Sequence, residues 1–294
     1  MGDILFIVNP IAGGGKSKGF VSLIKEIMDE SKRKYEIIVT EKPKEAIRLA
    51  SHGSMKGYET IVAVGGDGTI NEVALGILST GAGTLGIIPG GTGNDLARTL
   101  NIPNDPKKAI ETILKGHKKK IDVGFANDNM FLNIASIGLD SEIVKNTEKI
   151  KTKIKGRFAY FIGALNTLFK YRNKEVNIQL DNIIIDEEIM LLAVSNGKYY
   201  GGGFKICPMA VIEDGYFHIC IVKKVPKIKL LLFFPLFFRG THTKIKKNVE
   251  IYKAKEIKVK TSEKTDLNID GEIFEVYGEA VFSIGDKGID VACE

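Results

Sequence analysis

Cysteine is scarce in this 294-residue sequence. Its three cysteines, Cys207, Cys220 and Cys293, are too few and too scattered for a disulfide framework or a cysteine-rich zinc site. The four histidines do not have the spacing of metal ligands either, so we give them no catalytic role. The low cysteine content favours a reducing, cytosolic setting.

Long hydrophobic runs are also missing. The longest apolar stretch, LLLFFPLFF at 230–238, is far shorter than the roughly 18 residues that a membrane-spanning helix needs. No N-terminal signal peptide is expected, because Asp3 and the run ILFIV behind it are typical of a first strand. The net charge of +6 is modest for this length and by itself selects no partner among nucleotides, nucleic acid and anionic membranes.

The first part of the chain alternates between two kinds of segment. The apolar runs ILFIV, YEIIVT, TIVAVGG and GTLGIIPGG are separated by segments whose apolar side chains recur at helical spacing. Strands that are apolar on both faces and separated by helices form parallel sheets that are covered on both sides. The sequence therefore predicts a three-layer α/β/α domain over residues 1–127.

The pattern changes after KKKIDVG at 118–124. From there strands dominate, and runs such as EVNIQLD alternate, with Val176, Ile178 and Leu180 on one face. This alternation predicts an antiparallel β-sandwich domain over residues 128–294, interrupted by one helical stretch, RFAYFIGALNTLFKY. The extreme C-terminus is a candidate to pack back onto the first domain.

Three glycine-containing loops follow predicted strands in the first domain: NPIAGGGKS, GGDGTINE and PGGTGNDLAR. The carboxyl ends of parallel strands share one edge of the sheet, where ligands bind. Any one loop alone predicts only a tight turn, but three at successive strand ends indicate a site that binds phosphate. None has the P-loop spacing, and no G-x-G-x-x-G follows the first strand, which argues against an ordinary dinucleotide fold.

In this order and spacing, the three loops resemble the diacylglycerol kinase catalytic domain family of lipid kinases. The second half extends the resemblance through NIASIGLD, NGKYYGGGFKICPMAVIEDGYF and NIDGE. The GGDGT motif is shared with NAD kinases and, more loosely, with phosphofructokinases, so the resemblance implies a first domain of their type. Asn71 and Glu72, which follow this motif, and the segment 91–98 favour the lipid kinase branch.

The resemblance implies an enzyme that uses ATP and magnesium. It places Asp67 beside the ATP phosphates, where Mg²⁺ would convert repulsion into bridging, and the structural alternative is that Asp67 caps the helix that follows. Thr40 is either near the nucleotide or a helix N-cap, and Arg98 either contacts a phosphate or lipid headgroup or is a surface cation. The positions that match the family's nucleotide site are Asn9, Pro10, Gly13, Gly14, Gly15, Thr40, Gly65, Gly66, Asp67, Gly68, Thr69, Asn71, Glu72, Thr92 and Asn94.

The resemblance places the catalytic base in NIDGE, where Asp270 and Glu272 flank Gly271. If the chain is extended there, both carboxylates point to one side, and their repulsion would make one of them a better proton acceptor. The residues alone favour a different structure, an Asp-Gly hairpin turn with solvated carboxylates. The resemblance outweighs this reading but does not decide which of the two is the base.

The resemblance also implies a structural magnesium ion in PMAVIEDGYF. Its ligands would be Asp214 and the backbone carbonyls of Val211 and Tyr216. The alternative is a β-turn at Asp214 that needs no metal.

A lipid acceptor requires contact with a bilayer. Lys227, Lys229 and Arg239 flank the apolar run at 230–238, and KTKIKGRFAYF at 151–161 is a second basic and apolar stretch. Basic residues beside aromatic ones suit an anionic membrane surface. We predict that most of 230–238 belongs to the core and that its exposed ends contact lipid.

The leading hypothesis is therefore an ATP- and magnesium-dependent lipid kinase that converts diacylglycerol to phosphatidic acid. An NAD kinase-like enzyme with a soluble acceptor is one alternative. A non-catalytic, nucleotide-binding regulator at membranes is another, and the intact NIDGE argues against it. We expect a cytoplasmic protein that associates peripherally with the membrane and has no nucleic acid partner, with a homodimer kept as an option.

Overall fold

The computed structural model describes residues 2–151 and 166–294. They form two compact units. The first unit contains the described residues up to 123 together with 201–203 and 285–294, and the second contains the remainder. The predicted helical stretch at 157–171 lies mostly outside the described residues, within which 166–170 are helical.

The first unit is built on a six-stranded sheet in the order β2-β1-β3-β4-β17-β5. Strands β1 to β4 are parallel to one another, and β17 is parallel to β4 but antiparallel to the edge strand β5. Strands β1, β3 and β4 are buried along their whole length, which explains their unbroken apolar sequences. The strands are β1 Ile4–Val8, β2 Tyr35–Val39, β3 Thr60–Gly65, β4 Thr84–Pro89, β5 Lys118–Ile121 and β17 Ile289–Ala292.

Helices follow the parallel strands, as the alternating pattern predicted. Helix α5 shows the expected local signals, since Asp105 accepts a hydrogen bond from the backbone N–H of Lys108 at 2.9 Å, Pro106 comes first and Gly116 ends the helix in a left-handed conformation. The helices are α1 Ala12–Ser31, α2 Glu45–Met55, α3 Asp67–Thr80, α4 Asp95–Thr99 and α5 Pro106–Lys115. The α/β half of the fold is therefore confirmed.

The second unit contains an antiparallel sheet of eleven strands, which confirms the all-β half of the predicted fold. The order is β15-β14-β8-β10-β9-β13-β16-β6-β7, and β11 pairs with both β10 and β12. The strands are β6 Gly124–Ala126, β7 Asn129–Phe131, β8 Ile134–Gly138, β9 Lys174–Leu180, β10 Ile183–Ser195, β11 Phe217–Lys223, β12 Val249–Ala254, β13 Glu256–Thr261, β14 Thr265–Ile269, β15 Glu272–Val276 and β16 Glu279–Ile284.

Strand β10 pairs with three other strands and carries apolar side chains on both faces of the sheet. Its first half pairs with β9, and its second half lies between β8 and β11. Leu192 and Val194 point into one apolar cluster together with Val176, Ile178 and Leu180 of β9, as the alternation predicted. Their neighbours Leu191 and Ala193 point into a second cluster on the opposite face.

Besides the helical residues 166–170, the described part of the second unit contains two longer helices. They are α6, Leu139–Lys151, and α7, Lys227–Arg239, and a short 3₁₀ helix at Thr241–Lys244 follows α7. Within the described parts of the chain, no helix combines the length and the apolar character that crossing a membrane would require. The basic stretch at 151–161 lies almost entirely outside those parts.

Candidate active site

The three glycine loops lie side by side at the carboxyl edge of the first sheet. They follow β1, β3 and β4, which are neighbouring strands. The backbone N–H of Asn9 donates to the carbonyl of Val64 at 3.0 Å, and the N–H of Gly90 donates to the carbonyl of Gly65 at 2.7 Å. The grouping that the sequence predicted is therefore present within a single unit.

The first loop owes its shape to Gly13, Gly14 and Gly15. Their φ angles are 62°, 73° and 94°, all in the left-handed region that side chains disfavour, so the regular part of α1 begins only after them. A Cβ atom on Gly13 would collide with the carbonyl oxygen of Gly90, whereas a Cβ on Gly14 or Gly15 would meet no atom within 4 Å. The backbone of these two residues is thus open to a ligand, as a phosphate-binding loop requires.

Polar side chains join the loops to one another. Asn9 donates from Nδ2 to Oγ1 of Thr69 at 3.0 Å and accepts at Oδ1 from the N–H of Ile11 at 3.2 Å. Asn94 accepts from the N–H of Gly91 at 2.9 Å and donates to the carbonyl of the same residue at 3.2 Å. Three of the predicted nucleotide positions, Asn9, Thr69 and Asn94, therefore hold the loops in shape.

Asp67 caps a different helix from the one expected. It is the first residue of α3, whose N-cap is Gly66, so the idea that Asp67 caps its own helix is wrong. Its Oδ1 atom instead accepts from the N–H groups of Asp95 at 2.7 Å and Leu96 at 3.2 Å, at the start of α4. The carboxylate satisfies the unpaired N–H groups of that helix and favours its dipole.

Asp95 is a second carboxylate of this site, and sequence reasoning missed it. Its Oδ2 accepts from the N–H of Gly202 at 2.8 Å. Burial, reinforced by the charge of Asp67, raises the pKa of Asp95 to about 6. A Cβ on Gly93 would lie 2.8 Å from Oδ2 of Asp67 and 3.2 Å from Oδ2 of Asp95, so the two carboxylates flank this glycine. The signal that was available is that Asp95 directly follows Asn94 in the third loop.

In the second unit, NIDGE forms a hairpin turn. Asp270 and Gly271 have φ angles of 46° and 97° and connect β14 to β15, where Ile269 pairs with Glu272. The chain is therefore not extended here, and the hairpin turn that the residues alone favoured is present. The physical reason is that an Asp-Gly pair adopts positive φ readily and closes a two-residue hairpin.

The Asp270 carboxylate is nevertheless not solvated, as the hairpin alternative supposed. Oδ2 accepts from the N–H of Leu132 at 2.7 Å and of Asn133 at 3.2 Å. Oδ1 accepts from the N–H of Asn133 at 3.1 Å and of Ile134 at 2.9 Å. Three backbone N–H groups, of which that of Asn133 is shared between both oxygens, therefore engage the whole carboxylate. Glu272 is exposed at the start of β15.

The segment 132–134 brings three of the sequence motifs together. Its N–H groups are bound by Asp270 of NIDGE, and its carbonyls are bound from the end of β10. There, Asn196 donates from its backbone N–H to the carbonyl of Asn133 at 2.8 Å and from Nδ2 to the carbonyl of Leu132 at 2.8 Å. NIASIGLD, NGKYY and NIDGE therefore meet at one place in the second unit.

Comparison with known proteins places these motifs in one family. The model of the Diacylglycerol kinase catalytic domain matches residues 3–126, and that of the YegS C-terminal NAD kinase beta sandwich-like domain matches residues 133–283. A diacylglycerol kinase from Bacillus subtilis is 34% identical over 269 residues, which cover 90% of this chain and 88% of that protein. The chain belongs to the diacylglycerol kinase catalytic domain family.

Other relatives agree with this assignment. A diacylglycerol kinase from Staphylococcus carnosus is 34% identical over 268 residues, which cover 90% of this chain and 87% of that protein. A crystal structure of a diacylglycerol kinase from Bacillus anthracis str. Sterne matches with a TM-score of 0.78 at 25% identity, covering 99% of this chain and 97% of that one. The resemblance inferred from the sequence is confirmed, and with it the enzyme class, a lipid kinase of the diacylglycerol kinase type.

An NAD kinase shares the fold. The enzyme from Archaeoglobus fulgidus, solved in complex with ATP, matches with a TM-score of 0.52 at 14% identity and covers 99% of this chain and 93% of that one. At this identity the likeness concerns the fold alone. It agrees with the expectation that the first domain is of the NAD kinase type.

Other predicted positions of the family site have defined surroundings. Thr40 donates from Oγ1 to the carbonyl of Val8 at 3.4 Å and is not the N-cap of α2, which is Lys44. Arg98 is exposed but donates from Nε to the carbonyl of Gly93 at 3.2 Å, and its charge opposes the rise in the pKa of Asp95. Thr92 is exposed in the third loop.

A magnesium ion fits the carboxylate pair of the first unit. Both hydrogen bonds that Asp67 accepts in the described residues go to Oδ1, which leaves its Oδ2, near Gly93, available to a cation. The buried Oδ1 of Asp95 likewise has no hydrogen-bond partner among these residues. Mg²⁺ typically takes one or two carboxylates together with phosphate and water oxygens. The described residues hold no group of three or more acidic, histidine or cysteine side chains that could bind a metal, so substrate oxygens would have to complete the shell.

The Asp214 carboxylate pairs with a lysine ammonium group in this structure. Asp214 accepts at Oδ1 from the N–H of Tyr216 at 3.1 Å and pairs at Oδ2 with Nζ of Lys253 at 2.9 Å. Lys253 and Lys255 also lie over the Tyr216 ring, at 4.2 and 4.9 Å from its centroid. In this structure Lys253 therefore occupies Oδ2 of Asp214, and the metal site of Val211, Asp214 and Tyr216 stays a prediction from which we derive no step.

Helix α7 is part core and part surface. Phe237 is buried, whereas Phe234 and Phe238 are 39% and 48% exposed. Their rings contact that of Phe204, with centroids 5.0 and 4.2 Å apart. We call Phe204, Phe234 and Phe238 the aromatic face.

Proposed function

We propose that this kinase transfers the γ-phosphate of ATP to a hydroxyl group of a membrane lipid, with diacylglycerol as acceptor and phosphatidic acid as product. The observation that carries the proposal is the meeting of three glycine loops with the Asp67 and Asp95 carboxylates at one sheet edge. Support for the acceptor comes from the relatives that are named diacylglycerol kinases. The NAD kinase shares only the fold, so we advance no soluble acceptor.

In this proposal the first unit binds ATP. Phosphate oxygens contact the loop at Gly14 and Gly15, where an added Cβ would meet no other atom, and Asn9, Thr69 and Asn94 keep the loops in this conformation. The N–H of Gly15 donates to the carbonyl of Ile11 at 3.3 Å, which holds the turn itself. Asp67 and Asp95 would hold Mg²⁺, which neutralises phosphate charge and so lowers the barrier to transfer. Because Asp95 has a raised pKa, it binds a cation best once it has lost its proton.

The NIDGE turn supplies the proton acceptor in this proposal. Transfer to an alcohol is helped when a positioned carboxylate takes the hydroxyl proton as the new bond forms. Asp270 is firmly positioned, but it could accept a proton only by giving up one of its backbone donors. Glu272 is exposed and neighbours it. The acceptor is one of these two carboxylates, and the substitutions described in the Discussion separate them.

We further propose that the kinase works at an anionic membrane surface as a peripheral, cytoplasmic enzyme. Two residues of the aromatic face are followed in the sequence by a basic residue: Lys205 follows Phe204, and Arg239 follows Phe238. Exposed aromatic rings bordered by cations bind the interface of an anionic bilayer, where rings enter the headgroup region and cations pair with lipid phosphates.

The test is the transfer of labelled γ-phosphate from ATP to a panel of acceptors. Purified protein is incubated with Mg²⁺ and vesicles of anionic phospholipid containing diacylglycerol, ceramide, a long-chain base or a polyprenol, or with NAD in solution. We expect label in phosphatidic acid and no labelled NADP. Label in NADP but in no lipid would overturn the proposed acceptor, and label nowhere would overturn the catalytic proposal.

A further inference from the structure

Directly behind the NIDGE turn lies a small network of polar side chains. Asn268 of β14 donates from Nδ2 to Oγ of Ser136 and to Oδ2 of Asp140, in both cases at 3.2 Å. Ser136 also donates to Oδ2 of Asp140. On its other side, Asn268 accepts at Oδ1 from the backbone N–H of Gly271 at 2.9 Å. A continuous chain of hydrogen bonds therefore runs from α6 through β14 to the turn.

The direction of the Asn268 amide matters for the turn. The two ends of an asparagine amide are almost equal in shape but opposite in hydrogen bonding. If the amide were reversed, Nδ2 would face the N–H of Gly271, donor against donor, and Oδ1 would face the Asp140 carboxylate. The carboxylate oxygen of Asp140 thus selects the orientation in which Asn268 can bind the turn.

Burial makes the network sensitive to the loss of any member. Asn268 is 3% exposed and Ser136 is fully buried. Burial also raises the pKa of Asp140, although hydrogen bonds from Ser136 and Asn268 oppose the rise. A buried polar group without a partner is costly, so these residues stabilise one arrangement strongly over its alternatives.

From this geometry we infer that Asn268, oriented by Asp140 and Ser136, is a positioning residue that holds the Asp270–Gly271 turn in its working conformation. Both turn residues have positive φ, which an Asp-Gly pair adopts readily, and the contacts around them select one geometry of the turn. Asp270 and Gly271 are held from two sides, by the N–H groups of 132–134 on the Asp270 carboxylate and by Asn268 on the N–H of Gly271. The inference rests on the proposed function, in which this turn carries the proton acceptor.

The first test is Asn268→Ala, with Thr265→Val as its matched control. Thr265 is buried on the same strand, β14, but at the end away from the turn, where its Oγ1 donates to the carbonyl of Glu263 at 3.1 Å. Both substitutions remove a buried hydrogen bond and should lower the Tm. Because misplacement of a reacting group by a fraction of an ångström is costly, only Asn268→Ala should lower kcat, by about 10-fold or more, with KM for ATP unchanged.

The second test is Asn268→Asp, which preserves the shape of the amide. When protonated, the new carboxyl can donate to Asp140 and still accept from Gly271, as the amide does. When ionised, it repels Asp140. The kcat of Asn268→Asp relative to wild type should therefore rise as the pH falls from about 8 to about 6, whereas the ratio for Asn268→Ala should stay flat. Other ionisable side chains around the network are Glu142, Lys145, Tyr171, Asp266 and Glu275.

A third measurement does not depend on activity. Hydrogen–deuterium exchange followed residue by residue with NMR reports directly on the Gly271 N–H. In Asn268→Ala, this N–H should exchange about fivefold faster than in wild type, and in Thr265→Val it should keep its protection.

These experiments separate the inference from the proposed function. If wild type phosphorylates lipid but Asn268→Ala keeps its kcat within twofold and its Gly271 protection, the positioning role is overturned. A flat pH ratio for Asn268→Asp would overturn the orienting role of Asp140. If wild type phosphorylates no lipid while exchange at Gly271 changes as expected, the network holds the turn and it is the proposed function that fails.

Discussion

Two aspartates, one in each unit, both bind backbone N–H groups, but they differ in how many of their carboxylate oxygens are engaged. Asp67 accepts hydrogen bonds from two backbone N–H groups at the start of α4, and Asp270 accepts four hydrogen bonds from three N–H groups around the start of β8. In Asp67, however, all of these bonds go to Oδ1, while in Asp270 they engage both oxygens. A carboxylate with one oxygen left over can bind a ligand as well as hold the fold, and a fully engaged one mainly holds the fold.

This contrast predicts the largest effect at Asp67. Asp67→Asn keeps an oxygen that can cap α4 but replaces the outer oxygen with an amide. We expect kcat/KM to fall by about 100-fold or more with little change in Tm, because charge is lost next to the phosphates while the cap remains. Asp67→Ala should lose both activity and Tm. Kinetics and thermal unfolding check this, and near-normal turnover in Asp67→Asn would remove the residue from the site.

The next effect concerns the NIDGE turn. Asp270→Asn puts an NH₂ group against backbone donors, so kcat should fall by about 100-fold and the Tm should fall with it, unlike in Asp67→Asn. Affinity for ATP, measured by calorimetry, should stay close to wild type. Because loss of the hydrogen bonds that hold the turn could by itself explain a lower kcat, Asp270→Asn has to be compared with Glu272→Gln.

Glu272→Gln changes an exposed side chain and should leave the Tm unchanged. If Glu272 is the proton acceptor, the kcat of this variant should fall by about 100-fold. The loss of rate at low pH that comes from protonation of the acceptor should also vanish from its pH–rate profile. If Asp270 is the acceptor, the loss should be far smaller. Ordinary kcat in both variants would mean that the turn is structural and that the acceptor lies elsewhere.

A smaller effect is expected at the aromatic face of the second unit. Replacing Phe234 and Phe238 together with Ser should lower activity on anionic vesicles by about fivefold, because apolar area that enters the interface is lost. Activity on a water-soluble short-chain acceptor should not change. The control is Ile184→Ser, which removes an apolar side chain that is 68% exposed elsewhere in the same unit. Equal losses in both variants would contradict a specific docking role.

The contribution of charge attraction to membrane binding at the same surface is tested by changing the salt concentration. Raising the ionic strength should weaken vesicle-dependent activity, since exposed cations are screened over about 8 Å at physiological salt. Activity on vesicles that is independent of salt would count against electrostatic docking.

The smallest effect concerns stability at Asp95. Its pKa of about 6 in the folded protein lies above the ordinary value of 3.8, so ionisation opposes folding and stability falls as the pH rises through about 6. Asp95→Asn should therefore gain Tm relative to wild type between about pH 4 and pH 7, in the absence of ATP and magnesium. A difference in Tm that is constant with pH would contradict the raised pKa.

The sequence predicted the strand and helix order because hydrophobic period is a local property. It also predicted that loops after β1, β3 and β4 would meet, since parallel strands end at one edge. The sequence could not predict which distant backbone groups the carboxylates bind. Asp95 binds Gly202, and Asp270 binds 132–134, so each bond joins residues that only the tertiary fold brings together. At Asp270 the local signal was sufficient: the Asp-Gly pair forms the hairpin turn that the residues alone favoured, and the extended conformation considered beside it does not occur.

The role of Asp67 in magnesium-dependent phosphate transfer is tested by the initial rate of labelled phosphate incorporation from ATP into diacylglycerol vesicles by wild type and Asp67→Asn, with and without magnesium. We expect labelled phosphatidic acid from wild type only when magnesium is present, and a rate for Asp67→Asn lower by about 100-fold at an unchanged Tm. A magnesium-independent rate, or equal rates for the two proteins, would show that Asp67 and magnesium do not act in the transfer.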